Sequence, residues 1–265
     1  MINKEKQIPK IIHYCWYGKG AYNDTVKKCI SSWKEKLLDY EIKKWDESNT
    51  PFDKFPFLRI ILRAKIWSYI TDFIRLYAIY TEGGIYLDTD IEIIKDFDDL
   101  LEEENFLGFE IEIDKHIHPV NSAVIGARKG TSFVFDCLKK TEYYQRLRRN
   151  QIGGPKIVSK VLKEYGLDTY EDQVIQNVRV LPKSYFHPFR YNEEFSPECI
   201  KKETICIHWW ENSWGDKKRN QSFTIQKIKF KISKLLSIIR SLLIWKLARK
   251  RFYLTEKHLN SPSKL

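Results

Sequence analysis

The sequence predicts an α/β sandwich whose ligand site lies at the carboxyl ends of its strands, and three observations carry that prediction. KIIHYCW (Lys10–Trp16) is a short apolar-aromatic run bounded by Pro9 and Gly18. A longer apolar periodicity of three and four is stopped by Gly83-Gly84. Directly after that stop, IYLD leads into the acidic turn Asp88-Thr89-Asp90. Strands alternating with helices favour neither an all-α nor an all-β fold.

Taken in order, Lys10–Trp16 suits a buried strand. Val26, Cys29, Ile30, Trp33 and Leu37 have helical spacing over Thr25–Leu38, and YEIKKWD (Tyr40–Asp46) alternates as a strand. Over Leu62–Thr81 the positions Ile66, Trp67, Ile70, Phe73, Ile74, Tyr77 and Ala78 predict one continuous amphipathic helix, with the glycine pair as its stop. IYLD and IEII then read as two short strands joined by the acidic turn. NFLGFEIEI and SAVIGA read as strands, Phe133–Lys140 as helix, QIGGP (Gln151–Pro155) as a loop before a helix near Ile157–Tyr165, and RVLPKSYFHP and TICIHWW as strand-like runs.

The formal charge of +11 suggests a nucleic-acid binder until it is divided along the chain. Residues 217–265 hold fourteen Lys/Arg against one Glu, so residues 1–216 sum to −2. That division sets a catalytic domain over 1–216 apart from a basic tail over 217–265. It argues against nucleic acid as the partner of the body. In the tail, Ile225, Ile228, Ile232, Leu235, Ile239, Leu242 and Leu243 recur at three and four among lysines and arginines. Such an amphipathic helix suits an anionic membrane surface, while packing on the body, self-association or nucleic-acid binding stay open for it. LLSIIRSLLIW is too short to span a bilayer and contains Arg240. Five cysteines without a CxxC pair, and a start without a long apolar stretch, are expected of a cytoplasmic protein, and the tail would place it at the inner face of the plasma membrane.

Asp88 and Asp90, one residue apart, can converge on one hard cation, and a site with few carboxylates leaves room for substrate phosphates. By itself the pair also fits a solvated turn. Asp72 and Arg75 lie upstream at i and i+3, one turn apart on a single helix face, where they either serve a ligand or pair with each other.

These residues carry a resemblance. YITDFIRLYAIYTEGGIYLDTDIEI (Tyr69–Ile93) resembles the signature A-S-D-x-x-R-x-x-x-L-Y-x-x-G-G-I-Y-L-D-x-D of bacterial sugar transferases with a DXD motif. IPKIIHYCWYG (Ile8–Gly18) resembles their opening strand, and IHWWENSW (Ile207–Trp214) their closing motif. On these stretches the chain is similar to glycosyltransferase family 32 of the capsular polysaccharide type, and more distantly to the clostridial glucosylating toxins. Thr71 departs from the family's usual Ala or Ser.

The resemblance implies a GT-A fold, a Rossmann-like nucleotide-binding sandwich on a mixed sheet. It also implies a nucleotide-sugar donor, UDP-galactose or UDP-glucose first, retention at the anomeric carbon, and Mn²⁺ or Mg²⁺ as cofactor. Asp72, Arg75, Asp88 and Asp90 are the implied catalytic residues. Tyr14, Trp16, Asn121, Ser213 and Trp214 join Asp72, Arg75 and Asp88 around the donor, with Trp16 stacking on the base. Asp88, Asp90 and His208 are the implied metal ligands, with Ser213 an alternative to His208. Ser122 accompanies Asn121 near the transferred sugar, Gly153-Gly154-Pro155 lies near the acceptor, and Glu110 and Asp172 are further acidic candidates. The expected acceptor is a saccharide, lipid-linked, in capsular or cell-surface polysaccharide synthesis. A toxin-like transferase acting on protein and a non-enzymatic basic nucleic-acid- or membrane-binding protein are the alternatives. GxGxxG, GxxxxGK[ST] and HExxH are absent, which removes dinucleotide, P-loop and zincin readings.

Overall fold

The computed structural model describes residues 7–110, 120–147 and 152–211. The expected opening unit is present as β1 (Ile11–Cys15), α1 (Asp24–Lys36) and β2 (Glu41–Trp45). Asn23 caps α1, its side-chain oxygen accepting from the Val26 amide at 2.8 Å. Asp24 in the first turn and Lys34 and Lys36 in the last complement the helix dipole. The periodic residues Val26, Cys29, Ile30 and Trp33 form its buried face.

The helix expected over Leu62–Thr81 is present from Trp67, while Leu62 and Arg63 belong to the end of a separate helix before it, which corrects that boundary. α2 (Pro56–Arg63) starts on a proline and α3 (Trp67–Glu82) follows it. Between them Lys65 adopts φ 56°. Lys65 N–H donates to Leu62 O at 2.9 Å and Ile66 N–H to Ile61 O at 3.3 Å, a Schellman closure. Glycine usually marks such a turn; a lysine there gives the sequence no stop signal.

At the other end of α3 the glycine stop is as expected. Gly83 and Gly84 have φ 73° and 108°, and a Cβ on Gly84 would lie 2.6 Å from Ile11 O. Only glycine turns the chain this closely from α3 into β3 (Gly84–Leu87), beside β1. The remaining elements are β4 (Ile91–Ile93), β5 (Asn105–Phe109), β6 (Val120–Ala127), α4 (Ser132–Leu147), α5 (Gly154–Tyr165), β7 (Gln173–Ile175), β8 (Val178–Leu181) and β9 (Cys206–His208). α4 is longer than the predicted Phe133–Lys140. α5 takes Gly154 and Pro155, expected as loop, into its first turn, where proline is favoured. β7 had no prediction.

Seven strands form one mixed sheet in the order β2-β1-β3-β6-β5-β8-β7. β1, β2, β3, β5 and β8 share one direction, while β6 and β7 oppose it. The mixed α/β architecture expected of a GT-A fold is therefore present. α3, α4 and α5 pack on one face through Phe73, Ile74, Phe133 and Val161, and α1, β4 and β9 cover the other through Trp33, Ile91 and Cys206.

The topology gathers the candidate residues. The carboxyl ends of β1, β3 and β5 and the amino end of the reversed strand β6 share one edge, since Leu87 pairs with Val124 and Phe109 with Val120. Trp16, Asp88, Glu110, Asn121 and Ser122 therefore stand along a single rim. β4 leaves the large sheet and pairs antiparallel with β9, Ile91 opposite His208. α1 anchors β4 there: Trp33 Nε1 donates to Ile91 O at 2.6 Å, and Ile93 N–H to Ser32 Oγ at 2.9 Å.

Candidate active site

β3 ends at Leu87, and the next residues reverse the chain, Ile91 N–H donating to Asp88 O at 3.1 Å. Asp88 follows Tyr86 at a two-residue interval on the same side of the extended chain, and Tyr86 Oη donates to Asp88 Oδ1 at 2.8 Å. Beyond the turn, Trp209 N–H donates to Asp90 O at 3.0 Å, extending the β4–β9 ladder so that His208 comes beside Asp90. His208 Nε2 lies 3.4 Å from Asp90 Oδ2. One ligand atom from each of Asp88, Asp90 and His208 falls within 4.8 Å of the others.

Two carboxylates and an imidazole suit Mn²⁺ better than Ca²⁺, which favours an all-oxygen shell. Asp90 and His208 are buried and Asp88 is half-buried, so the cluster opens on the Asp88 side. Burial disfavours a charge on His208, but Asp90, followed by Asp88 and Glu110, raises its pKa overall. The three predicted metal ligands are thus brought together, and the donor set fits the cation.

α3 supplies the second half of the site. Asp72 and Arg75 are both buried, and Arg75 Nη2 lies 3.3 Å from Asp72 Oδ1 and 3.3 Å from Asp88 Oδ1. Its Nη1 donates to Ser122 O at 2.6 Å and to Ser122 Oγ at 3.2 Å, and its guanidinium lies over the Tyr86 ring at 4.6 Å. Of the two readings of the Asp72/Arg75 spacing, the structure shows the pairing, and Arg75 also binds the helix to the acidic turn. Planar fork geometry and permanent charge suit arginine to this task. The Thr71 hydroxyl beside them is buried with no hydrogen-bond partner among the described residues.

Burial raises the Asp72 carboxyl to about 6, against the pull of Arg75; Asp88 adds to the rise, and the Gly154 amide, which donates to Asp72, opposes it. Burial likewise raises Asp88, with Arg75 opposing and Asp90 adding. A Cβ on Gly154 would sit 2.5 Å from Ser122 Oγ and 2.7 Å from Asp72 Oδ1. The α5 amino terminus thus abuts Asp72, so the glycine expected near the acceptor also meets the proposed donor carboxylate.

On the opposite flank, Trp16 Nε1 donates to Gly20 O at 2.7 Å and its ring meets Tyr22 edge-on at 4.7 Å. Trp16 and Tyr22 line a cleft of about 350 Å³ with Lys19, Gly20, Ala21, Lys44, Asp46 and Glu47. Tyr14 is buried at the end of β1. It packs edge-on against Trp33 at 5.4 Å, and its hydroxyl reaches Tyr22 at 3.2 Å. Asn121 is held on both sides, its amide donating to Glu110 Oε2 at 2.8 Å and its oxygen accepting from Ala123 N at 2.7 Å. Burial raises the Glu110 carboxyl, with Asn121 opposing.

Asp172 is the correction among the acidic candidates. It ion-pairs with Arg179 at 3.0 Å at the β7–β8 edge, because β8 presents Arg179 beside the start of β7. Ser213 and Trp214 lie outside the described residues. His187, which had no prediction, is buried against His208, Nδ1 to Nδ1 at 3.3 Å. Within SYFHPF no spacing singled it out.

Residues 23–107 match the family described as a glycosyltransferase sugar-binding region containing the DXD motif. This span carries Asp72, Arg75, Asp88 and Asp90. An uncharacterized protein of Arabidopsis thaliana is 25% identical over 167 residues, 55% of this chain and 24% of that protein. The lactosylceramide 4-alpha-galactosyltransferase of Rattus norvegicus is 25% identical over 154 residues, 53% of this chain and 40% of that enzyme. The alpha-1,4-N-acetylglucosaminyltransferase of Homo sapiens is 27% identical over 161 residues, covering 55% and 44%. The chain thus matches less than half the length of each. Among solved structures, the PaToxG glycosyltransferase superposes with a TM-score of 0.48 at 18% identity, covering 60% of this chain and 69% of that one. An active-site mutant of LgtC gives 0.46 at 13% identity, covering 84% and 95%. Over residues 23–107 the chain is thus similar to a glycosyltransferase sugar-binding region, and over about half its length to transferase relatives.

Proposed function

We propose that the protein is a metal-dependent, retaining glycosyltransferase that moves a hexose from a nucleotide sugar, UDP-galactose or UDP-glucose, to a saccharide acceptor. The observation that carries this reading is the convergence of Asp88, Asp90 and His208 beside the buried Asp72–Arg75 pair. Galactosyl and N-acetylglucosaminyl transferases among the relatives support a hexose donor.

The geometry supports a role for each residue. Asp88, Asp90 and His208 would hold the divalent cation, Mn²⁺ by their donor chemistry, and the cation supplies Lewis-acid neutralisation of charge on the departing diphosphate. Arg75, held by Ser122 and two carboxylates, keeps a fixed positive charge beside the acidic turn, where it offsets negative charge without reorganisation. Asp72, ionised above about pH 6, accepts hydrogen bonds from sugar hydroxyls. Trp16 and Tyr22 give the cleft an aromatic wall for the base. No general base is assigned.

The test is a donor screen. Mn²⁺-dependent release of UDP from UDP-galactose or UDP-glucose, lost with a chelator, is expected to exceed turnover of GDP-mannose. Absence of metal-dependent binding or turnover with every donor would sink the proposal.

The basic tail, outside the described residues, extends the reading to a lipid-linked acceptor in cell-surface polysaccharide synthesis at the inner face of the plasma membrane. Each basic residue near an anionic surface contributes about 1 kcal/mol. Binding to vesicles rich in anionic lipid is expected to weaken with salt and to vanish on deletion of 217–265. Unchanged binding by the truncated protein would refute the membrane role.

A further inference from the structure

The buried pair His187–His208 contains a hydrogen bond whose purpose packing does not explain. His187 follows a turn held by its own N–H donating to Lys183 O at 2.7 Å, and that segment is tied to β9 by Ile205 N–H donating to Tyr185 O at 2.9 Å. Both His187 and His208 are buried, their ring centroids 5.3 Å apart, and Trp210 stacks on His208 at 3.9 Å. One His187 nitrogen, Nδ1, meets Nδ1 of His208 at 3.3 Å; the other, Nε2, is buried with no hydrogen-bond partner among the described residues. A phenylalanine could occupy comparable space without that orphaned atom. A buried polar group left half satisfied calls for a role at its other end.

Two facing imidazole nitrogens can share one proton and no more. A proton on each would collide, and a proton on neither would oppose two lone pairs. When His208 presents its Nε2 lone pair to a cation, its remaining proton sits on Nδ1, and Nδ1 of His187 is the group within reach to accept it. Nε2 of His208 is the nitrogen facing Asp90.

Resting on the metal reading above, we propose that His187 is a positioning residue for the cation site: its Nδ1 accepts the Nδ1–H of His208 and keeps the His208 Nε2 lone pair turned toward Asp88 and Asp90. The orphaned Nε2 of His187 then carries that ring's proton. Partners of this kind fix the ring orientation and tautomer of a ligating histidine.

Mn²⁺ titration of the full chain with UDP, read by electron paramagnetic resonance, tests this without reference to turnover. His187→Phe is expected to weaken Mn²⁺ binding about 10- to 100-fold, while His187→Asn, whose amide oxygen can accept, stays within a few-fold of the unsubstituted chain. Unchanged Mn²⁺ affinity in a folded His187→Phe overturns the role of His187 and leaves the metal site standing. No Mn²⁺ binding by the unsubstituted chain overturns both. The unsubstituted protein gives a second readout, independent of how either variant folds. With Zn²⁺ in place of the paramagnetic ion, long-range ¹H–¹⁵N spectra are expected to show His208 protonated at Nδ1 and His187 at Nε2. The opposite pair of tautomers refutes the assignment.

Discussion

Among the described residues two arginines are each bracketed by two carboxylates, and only one of them stands at the site. Arg75 lies between Asp72 and Asp88, Arg179 between Asp172 and Glu103. The Arg75 side chain is 7% exposed and that of Arg179 is 29%. Arg75 joins α3 to the rim where strands end, whereas Arg179 staples the sheet's far edge. The same three charges therefore do different work: water screens one set, and the other is enclosed beside a cluster able to hold a cation.

Replacing each arginine should break the likeness most clearly. Arg75→Ala leaves the buried Asp72 and the half-buried Asp88 without their cation, and is expected to destabilise the fold by about 3–5 kcal/mol and to abolish transfer. Arg179→Ala should cost no more than about 1 kcal/mol and leave transfer intact. Thermal unfolding and donor turnover measure both, and equal losses would void the distinction.

Asp90→Ala comes next, separating chemistry from folding within the enclosed region. A loss of about 4 kcal/mol in transition-state stabilisation, on the order of a thousand-fold in rate, is expected with the fold retained by circular dichroism. Full activity would remove Asp90 from the metal site.

Asp72 sharpens the comparison through pH. Its folded pKa of about 6 stands above the ordinary carboxylate value, so the folded state binds the proton more tightly than the unfolded chain. Stability is therefore lost as pH rises from about 4 through about 6. Asp72→Asn should relieve this burden, gaining up to about 2–3 kcal/mol at pH 7.5 and little at pH 4, while donor binding falls. Equal unfolding shifts at both pH values would contradict it.

The smallest effect expected is at α5. Gly154→Ala forces a methyl against Ser122 and Asp72, at a cost of about 1–3 kcal/mol and with weaker donor binding. Gly153→Ala meets nothing closer than 4.0 Å and serves as its control in calorimetric donor titrations. A harmless Gly154→Ala would show that α5 does not brace the carboxylate.

What the sequence determined by itself is local. Asp72 and Arg75 share a face because three residues make nearly one helical turn, Asp88 and Asp90 converge across a reversal, and Gly83-Gly84 turns the chain where a side chain would strike Ile11. Tertiary structure alone decided the rest. The α2–α3 break uses a left-handed lysine that no glycine announces, and Gly154 meets Asp72 through packing between helices distant in sequence. His208 was legible only through resemblance, since the β4–β9 register is what carries it to Asp90. His187 was not legible at all. Its partner, its burial and its orphaned nitrogen are properties of one pair of neighbouring rings, and side-chain spacing along a chain holds no record of contacts made across a fold.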